Sequence, residues 1–373
     1  MNMSESRPTN ANEEDVIDDI PVAARAGRVS QALLHNSGLR TAVLAVVAVL
    51  LALALIAALI AISGKNPLIA YWALLKGALG STDRIAFGLN RSTPYILAGV
   101  GIALCFRAKI INIGAEGQIA VGGLAATWVA LYFANLPLLL IPAALTAAAS
   151  SGAAWAAIAA VMRIKRGVHE VLSTLLLNFV GLLLVGEVLH GEMGEPGAGF
   201  PQSPLVERSA WLPKLLPGTD LHIGIMIAVL AAIAGHVLLW RTTFGFRLRL
   251  LGASHSAAAY AGVSFPQCTL AVMSIAGVLA GVAGGIEVLG VHYRLIEGFS
   301  LGFGFNAVAV ALLASVNPIA VLPAGLFLGF VEAGALAMQR EVGVPSSLVF
   351  VIQGLTMVFV LCSIGLGMHK QRV

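Results

Sequence analysis

The sequence predicts an all-α, polytopic transmembrane bundle, and three observations carry that reading. Of its 373 residues 58% are hydrophobic and only 11% charged, whereas soluble domains carry roughly 25% charged residues. Apolar runs of about 18 residues or more recur along most of the length, each sufficient to cross a bilayer as a helix. The alternating pattern of a membrane barrel is nowhere visible. Spacing gives about ten spans, within a range of 8–10, with both termini in the cytosol. The range reflects the segments around 92–118 and 303–317, which are short or broken and either cross or re-enter the membrane.

Taken in order, residues 1–40 are polar and mixed in charge, with Glu13, Glu14, Asp15, Asp18 and Asp19 ahead of Arg25 and Arg28. That composition predicts a disordered cytosolic tail. The hydrophobic, membrane-spanning region then runs over 41–367. Its first span, Thr41–Ser63, is uninterrupted. The stretch 64–91 is amphipathic and reads as a segment along the outer interface, with Tyr71 and Trp72 at headgroup level. A short inward span over Ser92–Phe106 stops at Arg107 and Lys109. Glu116–Phe133 returns outward and Pro137–Met162 comes back in, ending at Arg163, Lys165 and Arg166. After Val168–His190 comes an external loop, 191–220, rich in proline and glycine and without helical period. Leu221–Trp240 leads inward to a basic cytosolic loop, 241–267. The remaining spans are Cys268–Gly290, Phe303–Ser315, Ile319–Met338 and Ser346–Leu366, before a cytosolic tail at 368–373.

Charge supports this orientation. Of the 22 Lys and Arg residues, 14 fall on the inner side and eight on the outer, the direction of the positive-inside rule. The net charge of +4 therefore reports topology rather than nucleic-acid binding. Cys105, Cys268 and Cys362 share no metal-like spacing and read as packing residues. No Walker P-loop, nucleophile elbow or H-E-x-x-H motif occurs. The chain is predicted to hold no catalytic residue, metal or cofactor, so energy comes from an ion gradient or another subunit.

Polar residues inside apolar sequence mark the candidate pathway. The stretch Ile111–Ala126, "INIGAEGQIAVGGLAA", sets Asn112, Glu116 and Gln118 among glycines. It is either a broken helix beside a pathway or a polar loop between helices. Asn178 and Asn306 suit a neutral polar solute bearing hydroxyls or amides, or else interhelical hydrogen bonds. Glu332 reads as solute contact or as an intramembrane partner, and Glu287 as pore-facing or, preferably, near the outer water. His169 and His292 read as solvated boundary residues, and Trp211, Trp240 and Tyr293 as interface anchors. Gly277, Gly281 and Gly285 form one close-packing stripe, and Gly325 with Gly329 a second. "IAVGGLAA" from Ile119 and "VAVALLAS" from Val308 each follow a polar, glycine-bearing break, which suggests an internal repeat.

In the loop 241–267, Gly252, Ala257, Ala258, Tyr260 and Gly262 read as one short small-residue helix. Arg247 and Arg249 flank it and Pro266 stops it. It either lies against a cytosolic partner or is an interfacial connector.

The motif "INIGAEGQIAVGG" resembles permease subunits of ABC importers in the simple-sugar, nucleoside and branched-chain amino-acid permease group. "LLGASHSAAAYAGVSF", "AGVLAGVAGGIEVLGV" and "GFGFNAVAVALLASVNPIAV" match in kind and order, so the resemblance covers roughly 45–367. The outer loop with "FPQSP" is most like the larger of two paralogous nucleoside-type permeases. Two positions depart from the pattern: Ser254 stands where Asn is expected, and Asn306 where Asp is expected.

The resemblance implies a multi-pass protein of the cytoplasmic (inner) membrane that imports nucleosides or related ribosides by alternating access. Its implied partners are a cytosolic ABC ATPase holding the ATP and Mg, a second paralogous permease forming a heterodimer, and an extracytoplasmic solute-binding protein. Around it lies the lipid bilayer; no nucleic acid is involved. The segment Gly252–Gly262 with Arg247 and Arg249 becomes the ATPase-coupling element. Two alternatives are the same machinery importing a simple sugar, and an ion-coupled secondary transporter in which Glu116, Glu287 and Glu332 hold the ion.

Overall fold

The computed structural model describes residues 37–133, 137–300 and 302–345, with 347, 348, 350, 351, 353–355 and 358. The tail over 1–36, most of the last expected span, the tail 368–373 and Cys362 lie outside the described residues.

Helix α1 (Ser37–Ile62) turns through 115° into α2 (Pro67–Leu79). The turn follows from local chemistry: the Asn66 side chain accepts from the Leu68 amide at 2.9 Å, and Pro67 occupies the first helical position, where its missing N–H is not needed. The Tyr71 hydroxyl donates to the Leu53 carbonyl and ties the two helices together.

Helix α3 runs unbroken over Thr82–Arg107, capped by Ser81 and passing through Pro94. This corrects the division into an interfacial stretch to residue 91 and a short span from residue 92. Arg91 does not end a helix here, because from Ser92 to Cys105 every residue is buried against other helices. Tertiary burial places the charge inside the protein rather than at a membrane boundary.

After a non-helical break the chain forms α4 (Ala115–Tyr132), α5 (Pro137–Arg166) and α6 (Glu170–His190). The segment to α7 (Gly224–Arg241) holds a 3-10 turn at Arg208–Ala210 and isolated bridges, Gln202 to Ile296 and Lys214 to His222. Helix α7 starts at Gly224 rather than Leu221. Trp211 stacks on Tyr293 at 4.0 Å in the same layer.

The loop 241–267 contains two helices, α8 (Thr243–Ala253) and α9 (His255–Tyr260), not one. Gly252 belongs to α8, where a Cβ would overlap the Arg107 carbonyl oxygen. Gly262 ends α9 in the left-handed region at φ +74, a conformation that glycine adopts without a Cβ penalty. Pro266 stops nothing; it opens the first turn of α10 (Phe265–Glu287), which continues as a π-helical turn to His292. Helices α11 (Phe303–Leu313) and α12 (Val321–Val342) follow.

The core sits where α10 packs on α3, α4 and α5. At Gly277 and Gly281 a Cβ would overlap the carbonyl oxygens of Gly152 and Ala148 on α5, and Gly284 lies equally close to Ile119 on α4. Gly325 and Gly329 bring α12 against Ile96 and Ser92 of α3. Close backbone approach of this kind replaces the hydrophobic drive that lipid does not supply. Cys105 and Cys268 are buried free thiols.

Among the described residues five helices are long and apolar enough to cross a membrane, or six if the bent pair α1–α2 counts as one. Helices α3 and α4 match them in length but carry more polar residues, and α11 is short. One end of the bundle is basic, with Arg107, Arg163, Lys165, Arg166 and the α8–α9 segment. The opposite end carries residues 191–223.

Candidate functional site

The break after α3 is organised by side chains from two sides. Lys109 takes a left-handed conformation at φ +55 and turns the chain. Asn112, fully buried, accepts from the Gly114 amide at 2.9 Å and from Gln118 Nε2 at 3.3 Å. From α6, Asn178 Oδ1 accepts from the Gly117 amide at 2.9 Å while its Nδ2 donates to the Ile113 carbonyl at 2.8 Å. Glu170 accepts from the Ile111 amide at 3.5 Å and pairs with Arg163 at 3.2 Å. Buried backbone groups that leave a helix must find partners, and here Asn and Glu side chains supply them. Asn178 lies two helical turns into α6, about 12 Å from its start at 1.5 Å per residue, so the break dips beside the bundle core.

Glu116 holds a second helix. Its carboxylate is fully buried and accepts from the amides of Gly302 at 3.0 Å, Gly304 at 2.8 Å and Phe305 at 3.4 Å. These are the free N–H groups at the start of α11, where a negative charge is favoured by the helix dipole. Gly304 is pressed against the Glu116 backbone so closely that any Cβ would overlap it. Burying a carboxylate costs a few kcal/mol, and three charge-assisted amide bonds offset that cost. The breaks at 108–114 and 293–302 thus meet, and the carboxylate of one caps the helix that leaves the other.

Beyond that cap lies a cluster of polar side chains, the polar chamber, drawn from four elements. Tyr95 and Arg91 come from α3, Glu287 and His292 from α10 and its π turn, Phe303 and Asn306 from α11, and Glu332 from α12. The Tyr95 hydroxyl donates to Glu332 Oε2 at 2.6 Å and accepts from Asn306 Nδ2 at 3.3 Å. Arg91 stands 3.8 Å from Glu332 Oε1 and over the rings of Phe87 and Phe303 at 5.4 and 5.6 Å. His292 Nε2 is 3.8 Å from Glu287 Oε2. Tyr95 lies twelve residues from the basic end of α3, about 18 Å along the axis, well inside a hydrocarbon layer about 30 Å thick.

Glu287 is fully buried, which corrects its placement near the outer water. The π turn carries the helix on to His292, so Glu287 is not at a helix end facing solvent. His292, read as a solvated boundary residue, is half-buried: its side chain is 24% exposed and turned toward Glu287.

The sequence matches a family model described as the branched-chain amino acid transport system, permease component, over residues 84–361. The chain belongs to this permease family. Among relatives, the guanosine ABC transporter permease NupP of Bacillus subtilis is 35% identical, covering 85% of this chain and 92% of its own. The glucose ABC transporter permease TsgB13 of Haloferax volcanii is also 35% identical, over 85% and 86%. The nucleoside ABC transporter permease NupB of Lactococcus lactis is 29% identical over 87% and 92%. No solved structure matches.

Within this permease the six residues read from sequence as lining a pathway fall into two groups on either side of the α11 start. Asn112, Glu116, Gln118 and Asn178 organise the break and the cap, while Asn306 and Glu332 face the chamber. Sequence reasoning missed Arg91, Tyr95 and Glu170 and undervalued Glu287 and His292. Arg91 carried a signal, a charge 16 residues before the next basic residue in apolar sequence, but read as a boundary. Nothing in the sequence paired Tyr95 with Glu332.

The basic end presents α9. Ser254 Oγ accepts from the Ala257 amide at 3.3 Å as its N-cap, which explains why Ser replaces the expected Asn there: the two cap equally well. Tyr260 is 97% exposed, Ala257 is exposed and Ala258 buried. Arg249 and Arg107 lie over Trp240 at 4.6 and 5.1 Å, fixing α8 to the bundle, while Arg247 points to solvent.

Proposed function

We propose that the protein is the membrane-spanning permease subunit of an ATP-driven importer that moves nucleosides or related ribosides inward. The observation that carries this is α11, a helix of 11 residues that begins inside the bundle with its amides held by Glu116 and a polar chamber at its first turn. A continuous span would need no such start, and helix ends inside a membrane protein mark solute or ion pathways. Asn306 and Glu332 face that pathway; Asn112, Glu116, Gln118 and Asn178 set the position of α11.

The permease relatives named for guanosine and for nucleosides favour a riboside, and they extend over nearly the whole chain. A sugar is the second reading, because a relative named for glucose is equally similar. The basic end faces the cytosol of the inner membrane by the positive-inside rule, so the exposed α9, with Arg247, Ala257, Tyr260 and Gly262, receives a separate ATPase that hydrolyses ATP with Mg. Bacillus subtilis and Lactococcus lactis each hold a second, more distant ABC permease relative, which favours a paralogous partner here. A solute-binding protein delivers cargo to the end formed by 191–223.

The test is reconstitution of the chain with its ATPase, second permease and binding protein in liposomes. ATP-dependent uptake of labelled guanosine that excess glucose does not inhibit supports the riboside reading. Inhibition by glucose moves the cargo to a sugar. Uptake driven by a proton or sodium gradient without ATP overturns the importer reading altogether.

A further inference from the structure

Three side chains of the chamber carry buried polar atoms without a hydrogen-bond partner: Glu287 at both carboxylate oxygens, Arg91 at Nε and His292 at Nε2. Glu287 is fully buried, and its nearest titratable neighbour is His292 at 3.8 Å, with Arg91 and Glu332 within electrostatic reach. The remaining groups are engaged, since Tyr95, Glu332 and Asn306 bond one another. A buried carboxylate whose two acceptor oxygens are both open costs several kcal/mol unless something supplies donors. The side chains of Arg91, Glu332 and His292 are 20%, 14% and 24% exposed, so these three are partly open while Glu287 is at the buried end of the cluster.

Resting on the importer reading, we propose that this chamber contacts the solute and that Glu287 is its specificity-determining residue. The open valences form a pattern: two adjacent acceptors on Glu287, with donors alongside on Arg91 and His292. The matching solute is neutral and presents two adjacent hydrogen-bond donors flanked by an acceptor. An anion would meet the carboxylates of both Glu287 and Glu332. A nucleoside can offer this edge from two sources. One is a purine base with an exocyclic amine, a ring N–H and a carbonyl in line. The other is the vicinal hydroxyl pair of ribose.

The experiment uses the complete reconstituted importer and measures ATP-driven uptake of guanosine, inosine, 2′-deoxyguanosine and adenosine by wild type and by Glu287→Gln. Inosine lacks the exocyclic amine and deoxyguanosine lacks one hydroxyl. Losing a bond to a charged group changes recognition by about tenfold or more. The wild type is expected to prefer guanosine by about tenfold over one of these two analogues, inosine if the base edge enters the chamber and deoxyguanosine if the ribose does. The amide introduced by Glu287→Gln offers one acceptor group and one donor group in place of two acceptors, so the same ratio falls to about one in the variant. ATP hydrolysis stimulated by the loaded binding protein is the internal standard for an assembled complex; adenosine keeps the ribose hydroxyls but lacks the guanine edge, so its uptake falls in the variant only in the ribose case. If Glu287→Gln does not assemble, Glu287→Asp, which withdraws both acceptors by one methylene, is read the same way. An unchanged ratio in whichever variant assembles overturns the proposal. Absence of nucleoside uptake in the wild type instead overturns the importer's cargo.

Discussion

Replacing Glu116 tests whether the two chain breaks are mechanically joined. The carboxylate receives two strong amide bonds, from Gly304 at 2.8 Å and Gly302 at 3.0 Å, and one weak bond from Phe305 at 3.4 Å. In Glu116→Ala those buried amides lose their partner at about 1–3 kcal/mol each. Allowing little for the weak bond, the total is about 3–5 kcal/mol. Glu116→Gln keeps the shape but only one oxygen acceptor, so either the Gly302 or the Gly304 amide meets an NH2 donor, and the charge at the helix start is lost. Relief of charge burial returns part of that, so the net loss is about 2–3 kcal/mol. The assay is the fraction of detergent-purified complex that stays monodisperse after a heating series, together with uptake. The expected order is wild type, then Gln, then Ala. A Gln variant as stable and active as wild type, or an Ala variant better than Gln, would refute the cap.

His222 lies in the loop just before α7, buried against Gly290, with its Nδ1 accepting from the Gly224 amide at 3.2 Å. Burial lowers its pKa to about 4, with Asp220 opposing. The unfolded chain takes a proton near pH 6.5 and the folded chain does not, so stability is complete above about pH 6.5 and falls toward pH 4, by up to about 3 kcal/mol. Melting curves across that range should show the decline, and His222→Asn should flatten it; an equal slope in both counts against this residue. At Gly281, where a Cβ would overlap the Ala148 carbonyl, Gly281→Leu should force α10 off α5 and abolish assembly on size-exclusion chromatography. At Gly262, with φ +74 and no neighbour within 4 Å, Gly262→Val meets only backbone strain of about 1–2 kcal/mol. The complex should therefore assemble and hydrolyse ATP while uptake falls; uptake equal to wild type removes α9 from the coupling role.

The helical class and the packing surfaces were legible because they depend on local chemistry. Glycines at four-residue intervals announce close backbone contact wherever they lie. The α3 boundary was not legible, because Arg91 looks the same in sequence whether it faces headgroups or a buried Glu332. The chamber was hidden for a related reason. Its members lie at 91, 95, 287, 292, 306 and 332, and no spacing rule links residues that meet only when α10 and α11 fold back on α3. Asn178 and Asn306 show the limit from the other side. Both carry the same valences, yet one is consumed by the backbone of a break and the other stands at a chamber wall.

The intramembrane acids divide by whether the protein itself satisfies them. Glu116 has all its donors supplied by α11, and Glu332 has Tyr95 with Arg91 nearby, so each can be explained by the fold alone. Glu287 has no donor within hydrogen-bond distance, and its burial is unfavourable in this conformation. A packed membrane core gains nothing from such a group, since an apolar side chain of the same size would pack without the desolvation cost. The carboxylate becomes favourable when donors arrive, from water, from a solute or from a second arrangement of the helices. The last two change the occupancy or shape of the cluster, and the helix best placed to transmit that change to the break near the basic end is α11, through its bonds to Glu116.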